Sequence, residues 1–131
     1  MTYAGDLTPQ EAHEMLTAND DAVLIDVRTM AEWTWVGVAA IEGSRHVSWS
    51  LWPEGVMNNN FVAEATEGLR HDQPLLFLCR SGGRSAGAAN ATTAAGFAQS
   101  YNISGGFEGD VDHDGHRTGG WRGAGLPWRQ S

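Results

Sequence analysis

The sequence predicts an α/β fold with a parallel sheet, and three observations carry this. Asp21 to Val27 and Pro74 to Leu78 are apolar runs of strand length without polar alternation, as strands covered on both faces are. Segments with helix caps or alanine-rich composition follow and precede them. Strands and helices therefore alternate along the chain, the order from which parallel layers are built. The 131 residues, 41% of them apolar, suit one compact domain. A chain of this size buries roughly two thirds of the surface it exposes when unfolded, so it needs no disulfide or metal to hold it.

The elements follow in order. Thr8-Pro9-Gln10-Glu11 joins a capping hydroxyl, a proline at the first helical position and a glutamate placed to close a capping box. Ala12, Met15 and Leu16 give that first helix its apolar face. The strand over Asp21 to Val27 comes next, then a helical turn around Ala31 to Trp35. Gly37 to Gly43 reads as loop, and Arg45 to Trp49 as a short strand. Asn58, Asn59 and Asn60 can cap a helix over Phe61 to Leu69. Pro74 to Leu78 is the second buried strand. Arg84 to Ala95 is helical, with Gly96 as its C-terminal stop. Ser100 to Ile103 is the last strand, Gly105 to Gly120 a long loop, and Trp121 to Leu126 one helical turn before Pro127.

Composition excludes several functions. Sixteen acids face eight bases, a net charge of -8 with every base an arginine, so a nucleic-acid polyanion would be repelled. No apolar run is long enough to span a bilayer. No segment resembles a signal-peptide core, which places the chain in the cytoplasm as an expectation. A lone cysteine, Cys79, rules out an internal disulfide and fits a reducing compartment.

That cysteine has unusual neighbours. In Leu75-Leu76-Phe77-Leu78-Cys79-Arg80-Ser81-Gly82-Gly83-Arg84-Ser85 a strand delivers a thiol into a glycine-containing loop, and a helix leaves at once. Loop amides in such a turn can form an anion nest, and the helix N-terminus adds positive potential. Amides, dipole and two guanidinium groups all favour a thiolate, which is the nucleophilic form. A buried structural cysteine would have no use for Arg80, Gly82, Gly83 and Arg84 just after it.

Those residues resemble the active-site loop of the rhodanese-like sulfurtransferases, in their single-domain bacterial form. Leu24-Ile25-Asp26-Val27-Arg28 is similar to the family's first strand motif and Glu32-Trp33 to its following helix. Tyr101-Asn102-Ile103-Ser104-Gly105-Gly106 and Trp121 with Gly125-Leu126-Pro127 resemble its ending, so the likeness covers nearly all of one domain, residues 1–131. It implies a central parallel sheet with helices on both faces and sulfur transfer through a cysteine persulfide. Cys79 would attack the outer sulfur of an anionic donor such as thiosulfate, and cyanide or a thiol would then accept the sulfur. Arg84 and the loop from Ser81, Gly82 and Gly83 to Ser85 would hold persulfide and donor, with Arg80 at the pocket mouth. Asp26, Arg28 and Glu32 would be supports, Arg28 and Glu32 being paired at helical spacing. No cofactor is implied. The partners implied are a small anionic sulfur donor and a thiol acceptor, which could be carried on a thioredoxin-like or persulfide-bearing protein.

Within this fold, four residues between cysteine and arginine accompany sulfur transfer, and five accompany phosphatase or arsenate reductase chemistry. Cys79 and Arg84 have the shorter spacing, with Ser85 where the longer loop needs its arginine. The oxyanion reductase or phosphatase thus stands as the alternative enzyme, and a non-catalytic thiol redox sensor as the alternative from another class. Two departures stand out. Ala39-Ala40-Ile41-Glu42-Gly43-Ser44 lacks the histidine of the family's Gly-His-Ile-x-Gly-Ala pattern, which bears on the pocket rim. Asp110-Val111-Asp112-His113-Asp114-Gly115 begins like a calcium loop, yet its twelfth position is Trp121 and Arg117 opposes a cation, so a solvated acidic turn is expected and no metal. His13, His46 and His71 are expected as surface or half-buried imidazoles, and Trp33, Trp35, Trp49 and Trp52 as core or pocket wall.

Overall fold

A computed structural model describes residues 3–130, so Met1, Thr2 and Ser131 of the expected domain lie outside the described residues. Along the chain run β1 (Gly5–Leu7), α1 (Pro9–Ala18), β2 (Val23–Asp26), α2 (Met30–Trp35), β3 (Val38–Ala39), β4 (Arg45–His46), β5 (Ser50–Leu51) and β6 (Val56–Met57). They are followed by α3 (Phe61–Thr66), β7 (Leu75–Leu78), α4 (Gly83–Ala94), β8 (Ser100–Ile103), α5 (Gly120–Gly123) and β9 (Trp128–Arg129). Five strands form one sheet in the order β1-β8-β7-β2-β4, and every neighbouring pair is parallel.

The apolar runs explain the layering. β7 is buried at every position and β2 at three of its four, as central strands with both faces covered must be. Successive side chains alternate between faces. Leu75, Phe77 and Cys79 join Ile25, Val27, Phe61, Ala88 and Ala89 in one core, under α3 and α4. Leu76 and Leu78 join Leu24, Ala12, Ile103, Phe107 and Trp121 in the other, under α1 and α5. The expected parallel sheet with helices on both faces is what the chain forms.

The capping box of α1 is closed in both directions: Thr8 Oγ1 accepts from Glu11 N at 3.1 Å and Glu11 Oε1 accepts from Thr8 N at 2.8 Å. Gly96 takes φ +104°, a conformation open to glycine, just beyond α4. Several expectations need correction. Within the expected loop from Gly37 to Gly43, β3 pairs antiparallel with β9, so Ser100–Ile103 is not the last strand. The strand expected over Arg45 to Trp49 spans only Arg45–His46, and an unexpected hairpin, β5 with β6, follows it. Helix α3 stops at Thr66, short of Leu69, and no asparagine side chain caps it. Asn58 instead donates from Nδ2 to Ser48 O at 3.0 Å and Glu64 Oε1 at 2.8 Å.

Candidate active site

Cys79 is the first residue beyond β7, beside the end of β2 where Leu78 and Asp26 are partners. It lies on the α4 face and is buried. Gly82, at φ +119°, turns the chain so that α4 begins at Gly83, and the Gly82 N–H donates to Cys79 Sγ at 3.0 Å. The sulfur therefore faces the positive end of a twelve-residue helix. The loop is held from behind by the glycines after β8. Phe107 N–H donates to Cys79 O at 2.8 Å and Glu108 N–H to Arg80 O at 3.0 Å. Gly106, at φ +58°, packs so close beneath that a Cβ there would lie 2.6 Å from Arg80 C and O.

The arginines divide their work in a way the sequence did not reveal. Arg84 directs both prongs of its guanidinium at Glu32, Nη1 to Oε1 at 2.7 Å and Nη2 to Oε2 at 2.9 Å. Glu32 also closes the cap of α2, accepting from Thr29 N at 3.1 Å. Burial pushes the Glu32 carboxyl up, but the hydrogen bonds from Arg84 and Thr29 and the Arg84 charge outweigh it and hold the group at about 2. Arg84 is raised above its ordinary value, first by the Glu32 hydrogen bonds, against burial, with the charges of Glu32, Cys79 and Asp26 adding to the effect.

Glu32 is therefore not the partner of Arg28. Arg28 precedes Thr29, the cap of α2, so helical spacing does not apply to it. It folds back on Asp26 instead, Nη2 to Oδ2 at 2.7 Å and Nε to Oδ1 at 3.0 Å, and donates to Gly37 O at 2.7 Å. Both residues are almost fully buried. The guanidinium carbon lies 4.4 Å from the centroid of Phe107, over its ring, and Nη1 has no hydrogen-bond partner among the described residues. This buried pair thus supports Phe107, whose N–H holds the Cys79 carbonyl. Arg80 is half exposed, with Nε 3.2 Å from Oε2 of the buried Glu108. Ser81 is half-buried and Gly83 exposed in the same loop.

Beneath the sulfur runs a polar chain that sequence reasoning missed beyond its first member. Ser85 Oγ lies 3.2 Å from Cys79 Sγ and donates to Asn102 Oδ1 at 2.5 Å. Asn102 Nδ2 donates to Asp6 Oδ1 at 3.0 Å, and Tyr3 OH donates to the same oxygen at 2.7 Å. The Tyr3 hydroxyl is raised above its ordinary range by that hydrogen bond, by burial and by the Asp6 charge, against an opposing contribution from Asn102. Parallel registry makes Asp6 and Asn102 direct partners on β1 and β8. The available signal was the inward polar pair Ser100 and Asn102 in an otherwise buried strand.

The histidines stand apart from the loop. His13 meets Trp121 edge-on at 5.7 Å, His46 meets Trp33 edge-on at 5.1 Å, and His71 stacks on Phe97 at 4.3 Å. His46 is lowered by burial, a shift that Asp26 opposes and Arg28 and Arg129 reinforce. It lines a pocket of about 340 Å³ with Trp33, Thr34, Val38 and Arg129, none of them from the cysteine loop. Trp49 packs edge-on against Phe61 and over Gly87 of α4, whereas Trp35 and Trp52 are exposed. In the acidic turn, Asp112 Oδ1 accepts from Asp114 N and His116 N, each at 2.9 Å. Among the described residues no three acidic, histidine or cysteine side chains are grouped to hold a metal ion. No helix among them is long and apolar enough to cross a membrane.

A parallel α/β sheet that presents one thiol to a glycine turn and a helix N-terminus defines a cysteine-loop protein. The chain belongs to the rhodanese-like family, whose Rhodanese-like domain matches residues 8–113. It is similar to the crystal structure of Rv0390 from M. tuberculosis, 48% identical with a TM-score of 0.92, covering 99% of this chain and 100% of that one. It is 38% identical over 122 residues to the uncharacterized protein RC0915 of Rickettsia conorii, covering 91% of this chain and 92% of that protein. It is 30% identical over 106 residues to the thiosulfate sulfurtransferase GlpE of Glaesserella parasuis, covering 81% and 85%.

Proposed function

We propose that the protein is a sulfurtransferase that moves sulfane sulfur from a small anionic donor such as thiosulfate to a thiophilic acceptor through a persulfide on Cys79. The observation that carries this reading is the Cys79 sulfur at the N-terminus of α4, with the Gly82 N–H 3.0 Å away and Arg84 five residues on. The Cys79 thiolate attacks the outer sulfur of thiosulfate, a sulfur–sulfur bond forms, and sulfite leaves with the electron pair of the broken bond. Cyanide or a thiolate then attacks the outer persulfide sulfur and returns Cys79 as thiolate. The Gly82 amide and the helix dipole stabilise negative charge on sulfur in both steps. Arg84, fixed by Glu32, supplies charge from a defined position, and the half-exposed Arg80 meets the incoming anion. Such a cycle needs its one thiol kept reduced, which suits the cytoplasm.

Intact mass after incubation with thiosulfate tests the reading. The expected result is one added sulfur atom, removed by cyanide and absent in Cys79→Ser. No sulfur uptake, with an oxygen adduct after peroxide, would overturn it in favour of a redox sensor.

A further inference from the structure

The polar chain below Cys79 fixes where one proton points. Asn102 Oδ1 can only accept, so at 2.5 Å the single Ser85 hydroxyl proton lies between the two oxygens and is donated to Asn102. The orientation of the Asn102 amide is in turn fixed by Asp6. The carboxylate can only accept, so Nδ2 must face it at 3.0 Å, which turns Oδ1 toward Ser85. Ser85 and Asn102 are both buried. The sulfur, 3.2 Å from Ser85 Oγ, consequently faces a lone pair and not a proton. A thiol suits that arrangement, since its own proton can point at Ser85; a thiolate does not.

We propose that Asp6, acting through Asn102, is a positioning residue that holds the Ser85 proton away from Cys79, making Ser85 a two-position donor. While sulfur is a thiol, the hydroxyl serves Asn102. When the thiol proton passes to water or a buffer base, the Ser85 O–H turns onto Sγ and leaves Asn102 Oδ1 without its donor. Ser85 keeps its proton throughout, and no bond other than the S–H breaks. Asp6 thereby restrains the thiolate from the far edge of the sheet. This rests on Cys79 acting as the nucleophile of the proposed function, but it concerns the state of the thiol and not the identity of the donor.

Asp6→Asn tests it, because Asp6 is exposed and the change keeps its shape. Tyr3 and Asn102 both meet Asp6 Oδ1. An asparagine whose Nδ2 takes that place can donate one proton to the Tyr3 oxygen and the other to Asn102 Oδ1, which lets the Asn102 amide flip and frees the Ser85 proton for sulfur. Ultraviolet thiolate absorbance and the iodoacetamide alkylation rate at neutral pH are then measured, each against a Cys79→Ser blank. In Asp6→Asn the thiolate-to-thiol ratio read from both should rise about three- to tenfold, the worth of one net hydrogen bond. Removing the Asp6 charge would by itself favour a thiolate, so the same change is made in a Ser85→Ala background. There only the charge contribution should remain, a rise clearly smaller than with Ser85 present. A thiolate signal in Asp6→Asn equal to or below the parent overturns the proposal, as does a rise of the same size without the Ser85 hydroxyl. If the rise and its dependence on Ser85 appear while the parent takes up no sulfur from thiosulfate, the sulfur-transfer reading fails and the positioning role stands.

Discussion

Glu32 and Arg84 form a two-pronged ion pair, with separations of 2.7 and 2.9 Å, that ties the start of α4 to the start of α2. Its consequence for stability has a definite sign. The Glu32 carboxyl is depressed from 4.5 to about 2, so the contribution is fully present above pH 4.5 and is lost as pH falls towards 2. Glu32→Gln should cost on the order of 2 kcal/mol at neutral pH, a figure already reduced for the solvent on the pair's open side. Urea unfolding across a pH series checks this: the gap between parent and variant should close through that acidic window. A gap independent of pH would mean that the carboxylate charge contributes nothing.

Arg84→Lys should lower kcat of thiosulfate:cyanide transfer by about tenfold or more although the charge is kept, because a lysine ammonium cannot reproduce both bonds to Glu32. Arg80→Ala should mainly raise KM, given the donor-binding role proposed above for its half-exposed guanidinium. Steady-state kinetics on both variants decide the matter. An exchange of the two effects would assign the anchoring role to Arg80.

Arg28→Met should be far more damaging than its place outside the loop suggests. It leaves the Asp26 carboxylate buried without its partner, a change that costs about 3–5 kcal/mol. It also removes the cation from the Phe107 face and a donor from Gly37 O. The replacement of both partners, Asp26→Leu with Arg28→Met, should recover much of the loss. Denaturant midpoints for the single and double variants provide the comparison, and a single variant within about 1 kcal/mol of the parent would contradict the brace.

These residues also show what one sequence discloses about its fold. β2 and β7 were legible because both faces of a central strand demand apolar residues, and α1 because its cap is written in four adjacent positions. The loop from Cys79 to Ser85 was legible for a similar reason: turn, thiol and helix start are consecutive. β1, β3 and β9 are two or three residues long and carry no run or period to read; they exist because a neighbouring strand offers hydrogen bonds. The partner of Arg84 lies 52 residues away in sequence, and that of Asn102 on β1 lies 96 away. Helical spacing suggested Glu32 for Arg28, yet the cap at Thr29 leaves Arg28 outside the helix, where the buried carboxylate two residues back is nearer.

Gly106 offers the most local test of how the cysteine loop is held. Gly105 and Gly106 both take positive φ, +77° and +58°, so alanine at either position meets a similar backbone penalty, about 1–2 kcal/mol for a left-handed residue. Their surroundings differ. A Cβ on Gly105 would meet nothing within 4 Å, whereas one on Gly106 would lie 2.6 Å from the carbonyl carbon and oxygen of Arg80 and closer still to the Cys79 carbonyl oxygen. Backbone on both sides cannot yield as a flexible side chain could. The Gly106 segment must move away, and the hydrogen bonds from Phe107 N to Cys79 O and from Glu108 N to Arg80 O lengthen with it. Gly105→Ala should therefore lower Tm modestly and keep sulfur transfer near the parent level. Gly106→Ala should lose additional stability and, in the fraction that folds, most of its sulfur transfer, since the carbonyls that fix Cys79 from behind are released. Calorimetric Tm and turnover per active thiol, measured on both variants, separate strain from clash. Equal effects of the two substitutions would show that the close approach beneath Cys79 does not hold the loop.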